Sequence, residues 1–354
     1  MDATLTAEEF NEPPEEVHWM VRGAFQVLVF ALIFTQAMLA YAVLRDWIWA
    51  AIPLALVVSH LMHGTLIGLH EASHGLLRKN RRFNDFDGVV IGVLSLMSFT
   101  LYRVIHQTHH AYLASERDFE FWPLSQPSTA RWKRCLAAFA ELNLGLFYGP
   151  YLFLRAFFGP NTPVRSRRMR RRVWTELGLL VVSWTVVIGA VAFFGLWKYF
   201  LWMYLGPAFL AANLQSWRKY IEHVGMTGDT VNGSTRSIIA STWVGKLVSF
   251  TLLHEPFHGV HHMKAGLSHA ELPLHADKLQ PKNPGELPPF PSYRHAFIDL
   301  MHKLADPRVG PQWQGIQPMD YSSSLTQRDS VELGLHSAVG RMSTSQLDGI
   351  SPRQ

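Results

Sequence analysis

Eight of the chain's 18 histidines fall into three short motifs whose spacing suits metal binding. The motifs are HEASH at residues 70–74, HQTHH at residues 106–110 and HGVHH at residues 258–262. Residues three or four positions apart on a helix share a face, so the rings of one motif can point the same way. Neutral imidazole is the commonest metal ligand among side chains and suits iron, zinc, copper and nickel. The motifs therefore predict a metal centre with the candidate ligands His70, His74, His106, His109, His110, His258, His261 and His262.

The number of imidazoles exceeds what one metal ion needs. A structural zinc site is closed by four ligands, whereas eight histidines can hold two ions with open positions. His223, in the segment YIEHVG, lies a few residues beyond an apolar run and is a ninth candidate. Two neighbouring redox-active irons can share the electrons that oxygen activation requires, and zinc has no redox chemistry. The pattern therefore favours two iron ions.

The other histidines and the neighbouring acids receive different interpretations. His60 and His63 lie inside an apolar run, where they are either functional or hydrogen-bonded between helices. His254 is a candidate to contact a metal ligand and orient its ring without binding the metal itself. Adjacent helical residues point about 100° apart, so acids next to candidate ligands should orient rings rather than bind metal; these are Glu71, Glu222 and Glu255. Histidines without ligand spacing are expected at the surface, namely His269, His275, His295 and His302.

Four long apolar runs must position these residues. They cover residues 24–44, 47–69, 177–196 and 199–217. Each has about the length that a helix needs to cross a hydrocarbon core of roughly 30 Å. Links of two residues, 45–46 and 197–198, join the runs in pairs and predict two helical hairpins. The expected fold is an all-α integral membrane protein with four transmembrane helices in two hairpins and a cytosolic, histidine-rich cap.

The overall composition agrees with a membrane protein. Hydrophobic residues make up 48% of the chain and charged residues only 17%, which excludes an intrinsically disordered chain. A single cysteine excludes a disulfide scaffold or a cysteine zinc module. Shorter apolar stretches are predicted to form re-entrant or interfacial helices at residues 88–102 and 135–158, and the stretch 237–253 is amphipathic, with Lys246 inside it.

The chain divides into four segments by composition. We expect an acidic cytosolic segment at residues 1–20, a membrane catalytic domain at 21–280, a Pro-rich cytosolic segment at 281–319 and a disordered tail at 320–354. A short helix is predicted over residues 293–305 within the Pro-rich segment.

The distribution of basic residues predicts the orientation in the membrane. Lysines and arginines concentrate between the second and third runs and after the fourth, whereas the two short links hold only Arg45 and Lys198. By the positive-inside rule, both termini and all three histidine motifs are cytoplasmic, in the inner membrane if the source is bacterial. A net charge of +5 that flanks membrane spans is an ordinary orientation signal, so we expect no nucleic-acid partner.

The motifs together resemble the histidine boxes of the membrane fatty acid desaturase and hydroxylase superfamily. HEASHGLLRKNRRFND is similar to the first box, HQTHHAYLASERDFE to the second, FHGVHHMKAGLSHAELPLH to the third, and RKYIEHVG to the segment that supplies an additional histidine. The resemblance implies a non-haem di-iron site ligated by all nine histidines, His223 included. It also implies O2 as oxidant and two electrons from a separate donor, a ferredoxin- or cytochrome b5-like protein with its reductase.

Details of the boxes bear on the substrate. The three-residue gap in the first box is similar to that of acyl-lipid desaturases and hydroxylases, and Lys219 stands where the acyl-CoA type has an asparagine. The acids after the second box read Asp118-Phe119-Glu120, where the family usually has Asp-Pro-Asp/Glu. We therefore expect a desaturase acting on a fatty acyl chain, with an acyl-lipid substrate favoured.

Two alternatives remain open from the sequence. A hydroxylase or ketolase of acyl chains, alkanes or carotenoids would use the same boxes. A histidine-rich metal transporter is less favoured, because transport places ligands near the bilayer midplane.

Overall fold

The computed structural model describes residues 19–318, and this part of the chain is helical without a β-strand. The predicted tail at 320–354 and nearly all of the acidic segment at 1–20 lie outside the described residues. The principal helices are α1 (Ala24–Leu44), α2 (Ile48–His74), α3 (Arg81–Leu94), α4 (Phe99–Ala111), α5 (Arg131–Asn143), α6 (Gly145–Phe158), α7 (Arg167–Phe193), α8 (Gly206–His223), α9 (Trp243–Thr251), α10 (His258–Met263) and α11 (Tyr293–Met301). Shorter helical segments are Trp19–Arg22, Phe119–Phe121, Trp197–Phe200, Leu201–Leu205, Val231–Ser234, Leu272–Leu279 and Pro311–Gln314.

Three helices, α1, α2 and α7, are long and apolar enough to cross a membrane. The bent pair of α3 and α4 would be a fourth if the two together make one span. The run 199–217, predicted as the fourth span, begins with Trp197–Phe200, passes through the π-helical segment Leu201–Leu205 and continues as α8. The helical membrane architecture is confirmed, and the count of four spans in two hairpins stays a prediction.

The central helix, α2, is longer than its apolar run predicts. It has 27 residues, so it is about 40 Å long, which exceeds a hydrocarbon core of roughly 30 Å. The last turns carry His70 and His74 within the same helix rather than beyond its end. Gly75 then stops the helix with a φ of +80°, and Leu76 N donates to Glu71 O at 3.0 Å, a helix ending that glycine favours.

The shorter apolar stretches fold as helices with breaks that the sequence did not predict. The stretch 88–102 is divided between α3 and α4, which meet at an angle of 101°. The stretch 135–158 is divided between α5 and α6, with Leu144 between them. Within the Pro-rich segment, the predicted helix at 293–305 is shorter and ends at Met301.

Helix α2 forms the centre of the bundle and packs against α1, α3, α4 and α8. Because α2 and α4 are neighbours and both end in histidine motifs, the first two motifs are placed side by side.

Candidate metal centre

All nine candidate histidines meet in one buried cluster, and none is more than 7% exposed. Ligand atoms of five lie within 4.8 Å of one another, and we call them the first group: His70, His74, His106, His110 and His261. Two sets of three meet the same condition: His109, His223 and His262, and Glu222, His223 and His258. We call the four histidines of these two sets the second group: His109, His223, His258 and His262. The chain therefore brings together every predicted ligand, in two groups that could each hold an ion.

Helical geometry explains how the motifs divide between the groups. In HQTHH, His106 and His110 are four residues apart and join the first group, while His109 joins the second. In HGVHH, the pair four residues apart, His258 and His262, belongs to the second group, while His261 belongs to the first. Adjacent helical residues point about 100° apart, so each HH pair contributes one ring to each ion position.

The distances between ring nitrogens fit shared metal ions. In the first group, His106 Nε2 lies 3.1 Å from the Nε2 atoms of both His74 and His110, and His110 Nε2 lies 3.0 Å from His261 Nε2. In a neutral ring this nitrogen carries either one hydrogen or one lone pair, so hydrogen bonds cannot satisfy all of these contacts. Two nitrogens bound at right angles to one ion at about 2.1 Å would lie about 3.0 Å apart.

The second group repeats this arrangement around His258. Its Nε2 atom lies 2.7 Å from His223 Nε2 and 3.0 Å from His262 Nε2. The buried His70 Nε2 has no hydrogen-bond partner among the described residues. Convergent lone pairs and an unpartnered imidazole nitrogen are what a bound cation would satisfy, and an imidazole donor set suits iron.

Carboxylates hold the other ring nitrogens of the second motif. His106 Nδ1 lies 2.8 Å from Glu120 Oε1, and His109 Nδ1 lies 2.7 Å from Asp118 Oδ2. Asp118 is itself fixed, because it accepts hydrogen bonds from the backbone N–H groups of Ala114 and Glu120. A ring that donates its Nδ1 proton to a carboxylate keeps the Nε2 lone pair available for a metal.

Glu255 connects the two groups. Its Oε2 atom lies 3.2 Å from His70 Nδ1, and its Oε1 atom lies 3.1 Å from His258 Nδ1. The guanidinium of Arg218 balances the charge, with Nη1 at 3.0 Å from Glu255 Oε1 and 2.5 Å from Glu222 Oε2. The predicted ring-orienting role therefore fits Glu255, whose single carboxylate contacts one candidate ligand in each group.

The acids next to His70 and His223 have other surroundings. Glu71 accepts a hydrogen bond from the backbone N–H of His269 at 3.3 Å. Glu222 Oε2 lies 3.6 Å from His258 Nε2 and is near enough to count among possible metal ligands. Glu222 therefore has a second possible role that its position in the sequence did not predict.

Polar contacts outside the centre hold the motif helices in place. At the end of α2, Asn84 Nδ2 donates to Ala72 O at 2.9 Å, and Arg103 Nη2 reaches the same oxygen at 3.3 Å. At the start of α4, Glu176 of α7 accepts hydrogen bonds from the Ser98 hydroxyl and from Thr100 N and Oγ1. A carboxylate at a helix N-terminus is stabilised by the helix dipole, so these contacts fix where α4 begins.

Burial keeps the third motif neutral. Desolvation lowers the pKa of His258 to about 4 and places the pKa values of His261 and His262 well below the ordinary range. The imidazole rings are therefore unprotonated at neutral pH, the form in which they bind metals.

Several of the other histidines lie where the sequence placed them, and one does not. His60 Nε2 is 2.8 Å from the Thr251 hydroxyl, a hydrogen bond between helices, and His295 and His302 are exposed. His254 was predicted to support a ligand, but its Nδ1 atom lies 3.2 Å from the Ser249 hydroxyl, which is not a candidate ligand. The expectation that His269 is a surface residue is wrong: it is 6% exposed, and its backbone N–H donates to the buried Glu71 of α2.

Sequence reasoning missed the parts played by Asp118, Glu120 and Arg218. The sequence indicated the two acids only as part of the segment after the second motif. Their contacts with the histidines could not be predicted, because Asp118 lies nine residues after His109 and Glu120 fourteen residues after His106, and neither offset is a helical spacing. Arg218 lies four residues before Glu222, and that i,i+4 spacing was the available signal.

A cavity of about 520 Å³ leads to the centre. Its walls include apolar residues of the membrane-length helices, among them Leu32 of α1 and Leu66 of α2. It is also lined by candidate ligands of both groups, His70 and His106 of the first and His109, His223 and His258 of the second. An elongated apolar molecule could therefore lie among the helices with part of its length against the histidines.

The fold and the site define a helical membrane protein with a histidine-rich metal centre. The sequence profile of the fatty acid desaturase family matches residues 47–294, which include all nine histidines, and the chain belongs to that family. No curated protein matches the chain. Membership makes the protein an oxidoreductase of the fatty acid desaturase superfamily and confirms the resemblance that the histidine motifs indicated.

Proposed function

We propose that the protein introduces a double bond into a fatty acyl chain of a membrane lipid, using O2 and two electrons. The observation that supports this most directly is the cavity, which joins apolar walls among the helices to histidines of both groups. A hydrocarbon chain matches such walls because burying each methylene contributes about 0.8 kcal/mol.

The side chains have defined tasks in this proposal. The first group would hold one iron and the second group the other, and bound iron would supply the oxygen activation and the oxidation of an unactivated C–H bond. Glu255, Asp118 and Glu120 hold the rings in the orientation that presents their lone pairs. The cavity walls position two neighbouring carbons and keep water from the centre.

The proposed desaturation removes two hydrogens from the acyl chain and reduces O2 to water. Two C–H bonds on neighbouring carbons break and a C=C bond forms, which releases two electrons and two protons. The external donor supplies two more electrons, and two further protons come from solvent. O2 takes up all four electrons and four protons and leaves as two water molecules.

The proposal also includes the electron donor and the orientation of the protein in the membrane. The two electrons would come from a separate ferredoxin- or cytochrome b5-like protein that reaches the centre from the cytoplasm. The basic residues that flank the apolar runs support a cytoplasmic position for the motifs and both termini. Protease added to sealed vesicles of known sidedness should cleave the C-terminal tail only when the cytoplasmic face is outside.

Lipid analysis tests the proposal directly. The protein is expressed in a host of known lipid content, and acyl chains are examined by mass spectrometry for loss of two hydrogens. The His261→Ala variant is the control, because it removes a first-group ring that lies 3.0 Å from His110 Nε2. Added oxygen without a new double bond would instead assign hydroxylase or ketolase chemistry. Metal accumulation in proteoliposomes without oxygen consumption would assign transport.

A further inference from the structure

One face of α6 forms a wall of the cavity close to the metal centre. Gly145, Leu146, Gly149 and Phe153 all line the cavity, and their spacing of three and four residues places them on one side of the helix. Two of these four positions are glycines, which leaves the wall without side chains there.

Helices α6 and α8 touch at the first glycine. A Cβ atom built at Gly145 would lie 2.7 Å from both Ala212 O and Ser216 Oγ. Gly145 N also donates to the side chain of Asn213 at 2.9 Å. Gly145 is therefore explained by close packing, because α8 leaves no room for a methyl group.

The second glycine has no such explanation. A Cβ atom built at Gly149 meets no atom within 4 Å beyond its own stretch of helix. One helical turn after the contact at Gly145, the space in front of α6 is open, and it belongs to the cavity. Packing here would permit a larger residue, and the backbone reason for glycine is Pro150, whose ring crowds the Cβ atom of a preceding helical residue.

The wall that contains Gly149 is connected to the metal centre by stacked aromatic rings. Phe153, one turn further, stacks on Tyr102 with ring centroids 5.4 Å apart. Tyr102 in turn stacks on the candidate ligand His106, again at 5.4 Å. A chain that passes Gly149 therefore runs beside the rings that lead to the first group.

We propose that Gly149 determines which hydrocarbon chains the cavity accepts, because its missing side chain leaves the width needed by chains long enough to extend past this turn of α6. The inference rests on the proposed function for the identity of the substrate. A side chain at this position would project from α6 into the cavity and exclude part of a long chain. Affinity should fall about fourfold for each methylene that is displaced.

Direct binding tests this inference without requiring turnover. Purified, iron-loaded protein in nanodiscs binds a fluorescent polyene fatty acid, and saturated fatty acids of increasing length compete for the site. The variants are Gly149→Ala and Gly149→Leu. The control is Gly189→Leu, because Gly189 is exposed on α7 and also has no atom within 4 Å of a built Cβ.

We expect the preference for long over short chains to fall slightly in Gly149→Ala and at least about fourfold in Gly149→Leu. The control should keep the wild-type preference, and all variants should keep their iron content. An unchanged length preference in both Gly149 variants would overturn the inference, even if overall affinity dropped. If wild-type protein binds the acyl series in this length-dependent way but forms no oxidised lipid, the proposed function fails while the role of Gly149 stands.

Discussion

Replacing Glu255 by glutamine should loosen both metal ions at once. Three nitrogen atoms surround the two oxygens of this carboxylate: His70 Nδ1 at 3.2 Å, His258 Nδ1 at 3.1 Å and Arg218 Nη1 at 3.0 Å. Glutamine has nearly the same size but only one accepting oxygen, and its amide group would face a donor. At least one ring therefore loses its acceptor. The Arg218 guanidinium keeps only one of its two carboxylate partners, Glu222.

The magnitude follows from these contacts. Loss of a partner that orients a metal-bound histidine costs about 10- to 100-fold in metal affinity. Because Glu255 touches His70 of the first group and His258 of the second, we expect a loss in this range at both positions. Asp118→Asn is the matched comparison: Asp118 contacts His109 at 2.7 Å, so only the second group should weaken.

Iron retention against increasing chelator concentration measures both effects. Wild-type protein should keep about two irons per chain over the widest range of chelator. Glu255→Gln should lose both ions at 10- to 100-fold less chelator, whereas Asp118→Asn should pass through a stage with one iron. Glu286→Gln is the control, because Glu286 bonds to Thr230 and Asn283 away from the centre. Wild-type retention in Glu255→Gln, or simultaneous loss of both irons in Asp118→Asn, would refute the division into two groups.

Three further predictions concern stability, activity and pH. Arg218→Gln leaves two buried carboxylates without their cation and should lower the free energy of unfolding by about 3 to 5 kcal/mol. Arg308→Gln removes an exposed ion pair and should lower it by at most about 1 kcal/mol. Thermal unfolding in detergent compares the two variants, and equal unfolding midpoints would contradict the prediction. His261→Ala should abolish product formation without affecting membrane insertion, whereas His302→Ala, at an exposed position, should leave activity unchanged. Burial lowers the pKa of His254 to about 4, so between about pH 6.5 and pH 4 the unfolded chain binds a proton that the folded chain does not. The free energy of unfolding should therefore fall by up to about 1.4 kcal/mol for each unit by which the pH is lowered in this range. In His254→Gln the unfolding midpoint should depend less on acidic pH, and a dependence identical to that of the wild type would count against this role of His254.

The sequence alone determined the kind of protein. Apolar runs of membrane length predict helices because the bilayer fixes how many uncharged residues a span needs. Eight of the nine candidate ligands could be named because i, i+3 and i+4 spacing is a local property of a helix. Both inferences depend on the chemistry of short segments, so no tertiary contact was needed to make them.

The tertiary structure decided how those ligands are shared and supported. His109 and His110 are neighbours in the chain, yet they belong to different groups because their rings point about 100° apart and different helices meet each side. Glu255 reaches both groups, and His269 is buried, only because distant segments pack over the end of α2. Contacts such as these join residues far apart in sequence, where local periodicity carries no signal, so only the folded chain could reveal them.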